Sequence, residues 1–172
     1  MSRKPLNQKG MTLMELMVAI GIASFLIVGV TAAILQLISV SDRNSNYMTA
    51  YTEVQNAGFS VTSDAVQALA VSIVDDPETP EVELLTLDWL DFNGDTHQVV
   101  YTLEDGSGGL KELWRDYSNG VTQETTRVAK YIDPVTNCSW DETENVLTLV
   151  VTAEVGSKTA TRTYNVEPRP LS

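Results

Sequence analysis

Apolar residues run almost unbroken from Met11 to Leu37, and Glu15 is the only charged residue among them. From Leu16 to Leu35 the chain carries no charge, and about 20 residues rising about 1.5 Å each span a hydrocarbon core of about 30 Å. This run predicts a membrane helix. Beyond it the helical period continues: Met48, Tyr51, Val54, Gly58, Val61, Ala65 and Leu69 recur at steps of three and four. They predict one buried stripe, with Asp42, Asn46, Thr49, Glu53, Asn56, Ser60 and Asp64 facing water. The acidic stretch from Asp75 to Glu81, with Pro77 and Pro80, ends the helical pattern. The period then becomes two, in Leu85, Leu87 and Trp89, in Val99, Tyr101 and Leu103, in Leu147, Leu149 and Val151, and in Ala160, Arg162, Tyr164 and Val166. Asn93-Gly94, Asp105 to Gly109, Asn119-Gly120 and Gly156-Ser157 supply short links, so the strands are expected to form an antiparallel meander.

The predicted class is therefore α+β, a long helix packed against a C-terminal antiparallel sheet. The expected divisions are a basic segment 1–10, a membrane helix 11–39, an amphipathic helical half 40–74, an acidic linker 75–81 and a sheet domain 82–172.

Glu15 needs an explanation, because a carboxylate within a bilayer costs about 2.5–3.5 kcal/mol on insertion scales. Its bland reading is a side chain that snorkels from a helix end toward headgroups. The flanks favour a more specific one. Arg3, Lys4 and Lys9 precede the apolar run and hold that end in the cytoplasm, leaving the remainder exported. A secretory signal would be cut after its apolar region, yet Ser39 to Asn46 is polar and offers no small-residue site. The processing point is expected before the helix instead, at Gly10, followed by Met11-Thr12-Leu13-Met14-Glu15-Leu16. This arrangement closely resembles the class III leader of type IV pilins.

That resemblance implies cleavage between Gly10 and Met11 by a membrane prepilin peptidase, and methylation of the Met11 amine. It also implies that Glu15 recruits each subunit to the growing end, in partnership with other pilin or pseudopilin subunits, an inner-membrane assembly platform and membrane lipid. The physics agrees: a free α-amine has a reference pKa of about 7.7–8.0. Packed helices can set the amine of one subunit beside the Glu15 of another, each neutralising the other. The segments "LKELWRD", "TTRVAKYIDPV", "VLTLVVTAEV" and "ATRTYNVEPRP" are similar in order to minor pilins and J-type pseudopilins. The implied location is the inner membrane with the N-terminus cytoplasmic, then an extracellular pilus or a periplasmic pseudopilus.

Charge and composition narrow the alternatives. The net charge of −12 becomes −15 once Arg3, Lys4 and Lys9 are removed, and such acidity repels phosphate backbones, so no nucleic acid is expected as a partner. Cys138 and His97 are the only residues of their types, which leaves no internal disulfide and little material for a zinc cluster or a triad. Asp91, Asn93 and Asp95 alternate as calcium ligands do, but no glycine follows the third and no distal glutamate is evident, so a hairpin turn is expected. The glycines of 105–109 lack the Lys-Ser/Thr of a phosphate cradle. Trp89, Trp114 and Trp140 suggest an adhesive surface, with core packing the commoner role. No enzyme, cofactor or metal is expected. A structural fibre subunit accounts for Gly10, Glu15 and the uncut helix together, with a membrane-tethered binding module as the alternative.

Gly10→Ala is expected to leave the precursor uncut, because a peptidase that approaches the backbone closely meets a Cβ there. An immunoblot of membranes checks this, and a normal processing shift would refute it.

Overall fold

The computed structural model describes residues 12–73 and 82–169; Gly10, Met11 and the acidic linker 75–81 lie outside them. The chain divides into two compact units between Asp42 and Arg43. Helix α1, Leu13–Ala65, contributes to both.

In the first unit every described residue is exposed, its large apolar side chains from Leu16 at 50% to Phe25 at 84%. This apolar surface has no cover among the described residues, and the helix is long and apolar enough to cross a membrane.

In the second unit α1 ends at Ala65, short of the expected residue 74. The reason lies in the backbone. Gln67 and Ala68 donate to the carbonyls of Asp64 and Ala65, tightening the last turn, and the Leu69 N–H goes instead to the carbonyl of Asp88, 2.8 Å away. The chain then forms strand β1, Ala70–Ser72, so the sheet begins before residue 82. It continues through β2 (Val82–Leu90), β3 (Thr96–Asp105), β4 (Lys111–Ser118), β5 (Gln123–Ile132), β6 (Asn137–Asp141), β7 (Val146–Val155) and β8 (Lys158–Val166). All pairings are antiparallel.

This is the expected meander, with one variation. β5 meets β7 only at Ile132 opposite Ala153, and β6 then takes up the same edge of β7 from Val146 to Val150. The two strands behave as one, interrupted around Pro134. Register shifts in the β4–β5 ladder near Leu113 mark a bulge, where Tyr131 adopts φ 58°. Bulges bend a strand and strengthen its twist. The sheet curls far enough to bring β6 near β2.

The core lies between the concave face of this sheet and α1. Leu85, Leu87, Val99, Tyr101, Leu113, Ile132, Leu147, Leu149 and Val151 are fully buried or nearly so. From the helix come Ala50, Val54, Ala57, Val61 and Ala65, each 0% exposed. Met48 stays exposed and Leu69 lies beyond the helix, so the true stripe is displaced toward smaller residues. Glycine matters here at Gly58, where a Cβ would overlap the ring of Tyr164, whose hydroxyl donates to the carbonyl of Val54 at 3.2 Å. It matters also at Gly156, whose φ of +61° opens the two-residue β7–β8 turn.

Gly58→Ala should therefore destabilise the protein although alanine is the better helix former by about 1 kcal/mol. Overpacking of this kind costs about 1–3 kcal/mol. Urea unfolding is the measurement, and Tyr164→Leu in the same chain should make the combined loss smaller than the sum of the single losses.

Candidate functional site

The helix start is built around Thr12 and Glu15. The Thr12 N–H donates to Glu15 Oε2 at 2.9 Å, the Thr12 hydroxyl donates to the same oxygen at 3.0 Å, and the Glu15 N–H returns to Thr12 Oγ1 at 3.3 Å. This is a capping box, threonine at the N-cap and glutamate three residues later. It satisfies donors that the first helical turn otherwise leaves unpaired. The signal was present in the sequence as Thr12-Leu13-Met14-Glu15 and was obscured by treating Glu15 as a charge alone. The carboxylate is thus held on the N-terminal side of the helix, toward the segment that contains Met11. Further along, Ser24 and Thr31 donate their hydroxyls to the carbonyls of Ile20 and Ile27, both at 2.8 Å, so that the apolar helix carries no unsatisfied hydroxyl at these positions.

A second polar cluster lies inside the second unit. Asp64, expected to face water, is 7% exposed. Its carboxylate accepts from Arg115 Nε at 2.7 Å and from a terminal guanidinium nitrogen at 3.0 Å, a bidentate pair, and from the Tyr101 hydroxyl at 2.5 Å. Tyr101 in turn accepts from Ser60 at 2.9 Å. Burial, with the neighbouring Asp64 carboxylate, pushes the Tyr101 hydroxyl well above the tyrosine range. The hydrogen bonds to Asp64 push Arg115 upward against its own burial. Both shifts keep the proton where the cluster needs it. Glu53, also expected on the water side, accepts the Lys130 N–H at 2.7 Å. Lys130 sits in the β5 bulge, where the sheet ladder cannot use that donor. The spacing Ala57, Val61, Asp64, Ala68 would have placed Asp64 on the buried face, had its charge not assigned it to solvent.

The remaining candidates resolve into structural roles. Asp91 Oδ1 accepts the N–H groups of Asn93 and Asp95 at 2.7 and 2.9 Å, closing the β2–β3 hairpin. The hydrogen bond from the Asp95 backbone N–H is the leading cause that holds the Asp91 carboxyl below the usual range. Among the described residues no group of three His, Cys, Asp or Glu side chains is placed to hold a metal. Gly108 and Gly109, at φ 73° and 80°, turn the chain between β3 and β4. Trp89 and Trp140 pack against the core, as expected, and Trp89 stacks on His97 at 5.5 Å, while His97 Nδ1 and the Tyr117 hydroxyl are 2.7 Å apart. Trp114 departs from expectation. It alternates with the buried Leu113 and lies on the other face of β4, under the Arg127 guanidinium at 5.7 Å. Burial pushes the Cys138 thiol up to about 12, which leaves it protonated and a poor nucleophile at neutral pH.

A capped glutamate heads an exposed apolar helix, and the sheet packs on the later part of the same helix, an α+β layout. Residues 5–31 match the prokaryotic N-terminal methylation motif. The match takes in Gly10, Met11, Thr12 and Glu15 together with the first part of α1, and it supports a type IV pilin-like or pseudopilin precursor processed by prepilin peptidase. Neither a curated protein nor a solved structure matches the chain.

Removing the acid from the buried cluster strands its partners. Asp64→Ala should cost about 3 kcal/mol in urea unfolding, because Arg115 and Tyr101 are left without an acceptor. Replacing the pair together, Asp64→Leu with Arg115→Met, should recover most of that loss, and a double mutant as unstable as Asp64→Ala would count against the account.

Proposed function

We propose that the chain is a minor pilin or J-type pseudopilin, cleaved between Gly10 and Met11, methylated on Met11, and assembled through Glu15 into a type IV pilus or a secretion pseudopilus. The observation that carries this reading is the coincidence of the methylation motif with an uncovered apolar helix that continues into a unit where it packs against an antiparallel sheet. The order of the segments "LKELWRD", "TTRVAKYIDPV", "VLTLVVTAEV" and "ATRTYNVEPRP", similar to minor pilins and J-type pseudopilins, favours the minor branch. In this reading the membrane and its assembly platform hold the precursor with its N-terminus cytoplasmic. The helix then leaves lipid for a fibre in which neighbouring helices cover it.

Glu15 has two duties here, and they are separable. It caps its own helix through Thr12, and it offers a carboxylate to the Met11 amine of a neighbour. An amine docked into apolar surroundings without that carboxylate opposes assembly by about 3 kcal/mol.

Glu15→Val removes the cap and the charge, whereas Glu15→Gln keeps a side chain that serves in a capping box and removes only the charge. Both variants should be cleaved and inserted normally, and both should fall by about tenfold or more in sheared fibres relative to membranes, in cells lacking the native gene. Normal incorporation of Glu15→Gln would assign Glu15 to capping alone. The processed chain should begin at Met11 with one added methyl group by mass spectrometry, and an intact leader would overturn the reading.

A further inference from the structure

The edges of the sheet are unequal. β1 has three residues and β6 has five, but β8 has nine and, among the described residues, pairs only with β7. The β7–β8 register fixes which groups face outward. Val155 opposite Lys158 closes a two-residue turn, so Lys158, Ala160, Arg162, Tyr164 and Val166 direct their backbone groups to β7. Thr159, Thr161, Thr163 and Asn165 turn theirs to the open side. Beside this strand runs an open groove of about 430 Å³, lined by Gln55, Asn56, Phe59, Thr62, Arg162 and Tyr164. Phe59 is 75% exposed on it.

Arg162 is the unusual member. Its guanidinium lies 5.5 Å from the centre of the Tyr51 ring and 5.9 Å from that of Tyr164, which restrain it. Arg115, Arg127 and Lys111 have carboxylate partners, whereas among the described residues none lies within 4.0 Å of Arg162, nor of Arg43, Lys130, Lys158 or Arg169; Arg162 differs from these four in being held against two aromatic rings. This holds in a chain with 23 acidic and 11 basic residues. A held guanidinium with free donors suits a carboxylate from outside. The strand also disfavours pairing with itself: Arg162 is the middle residue of Lys158–Val166, so a centred antiparallel pair would set two arginines face to face.

We propose that the open edge of β8 receives an extended acidic segment of a different fibre subunit as an added antiparallel strand, its carboxylate on Arg162 and an apolar side chain against Phe59. The backbone groups of Thr159, Thr161, Thr163 and Asn165 supply affinity, and Arg162 selects the segment. The choice of a fibre subunit as the partner rests on the assembly reading above; the chemistry of the edge does not.

The test uses the full chain in detergent micelles and nine-residue peptides of alternating threonine and valine, N-methylated along one edge to prevent self-stacking, with either glutamate or lysine at the centre. The glutamate peptide should slow amide exchange at Thr161 and Thr163 and bind about tenfold or more tightly than the lysine peptide. Arg162→Glu should reverse that preference. Thr163→Pro should abolish binding while the chain keeps its cooperative unfolding, since the lost N–H faces away from β7. Equal binding of the two peptides, protection confined to other strands, no saturation by about 1 mM, or a dimer formed through β8 would each overturn the proposal. Peptide binding by a chain absent from sheared fibres would overturn the fibre-subunit assignment and the assembly reading, whereas normal incorporation without peptide binding would overturn the edge itself.

Discussion

Close approach of α1 to the sheet is the condition on which the second unit depends. Ala50, Val54, Ala57, Gly58, Val61 and Ala65 present little more than backbone and methyl groups to the concave face. That lets Tyr164 lie over Gly58 and reach the Val54 carbonyl. It also sets Glu53 within 2.7 Å of the Lys130 amide and Asp64 within 2.7 Å of Arg115. A bulkier face would hold the helix off, and both carboxylates would lose their partners in a place where water cannot replace them.

The polar contacts across this interface orient the helix rather than simply adding stability. Apolar packing is non-directional, and a stripe of alanine and valine slides along a sheet of leucine and valine at little cost. A bidentate Asp64–Arg115 pair and a carboxylate seated on a bulge amide have one geometry each. Together they fix rotation and height of the helix on the sheet. The β5 bulge is part of the same arrangement, because it bends the strand toward β7 and frees the donor that Glu53 takes.

The first unit obeys a different constraint. Its apolar residues find no cover among the described residues, and the helix is long and apolar enough to cross a membrane. Glu15 survives in this setting because Thr12 satisfies one of its oxygens with two donors. The cap uses one carboxylate oxygen and leaves the other without a hydrogen bond among the described residues.

Period and turn chemistry determined much of this protein from sequence. The three-and-four spacing from Val54 to Ala65, the alternation in β2, β3, β7 and β8, and the links at Asn93-Gly94, Asn119-Gly120 and Gly156-Ser157 are local properties, set by backbone geometry within a few residues. The motif through Gly10 and Glu15 was legible for the same reason, since it is contiguous. Tertiary structure decided what periodicity ranks wrongly: that the helix stops at Ala65, its last turn tightened by the amides of Gln67 and Ala68 while Asp88 takes the amide of Leu69, that Trp114 faces away from the core, and that Glu53, Ser60 and Asp64 turn inward. A polar residue at the margin of an apolar stripe is assigned to water by its transfer energy alone. The local spacing sets Asp64 on the buried face, but only partners distant in the chain, Arg115 and Tyr101 for Asp64 and the bulged Lys130 amide for the half-buried Glu53, offset the cost of a carboxylate there.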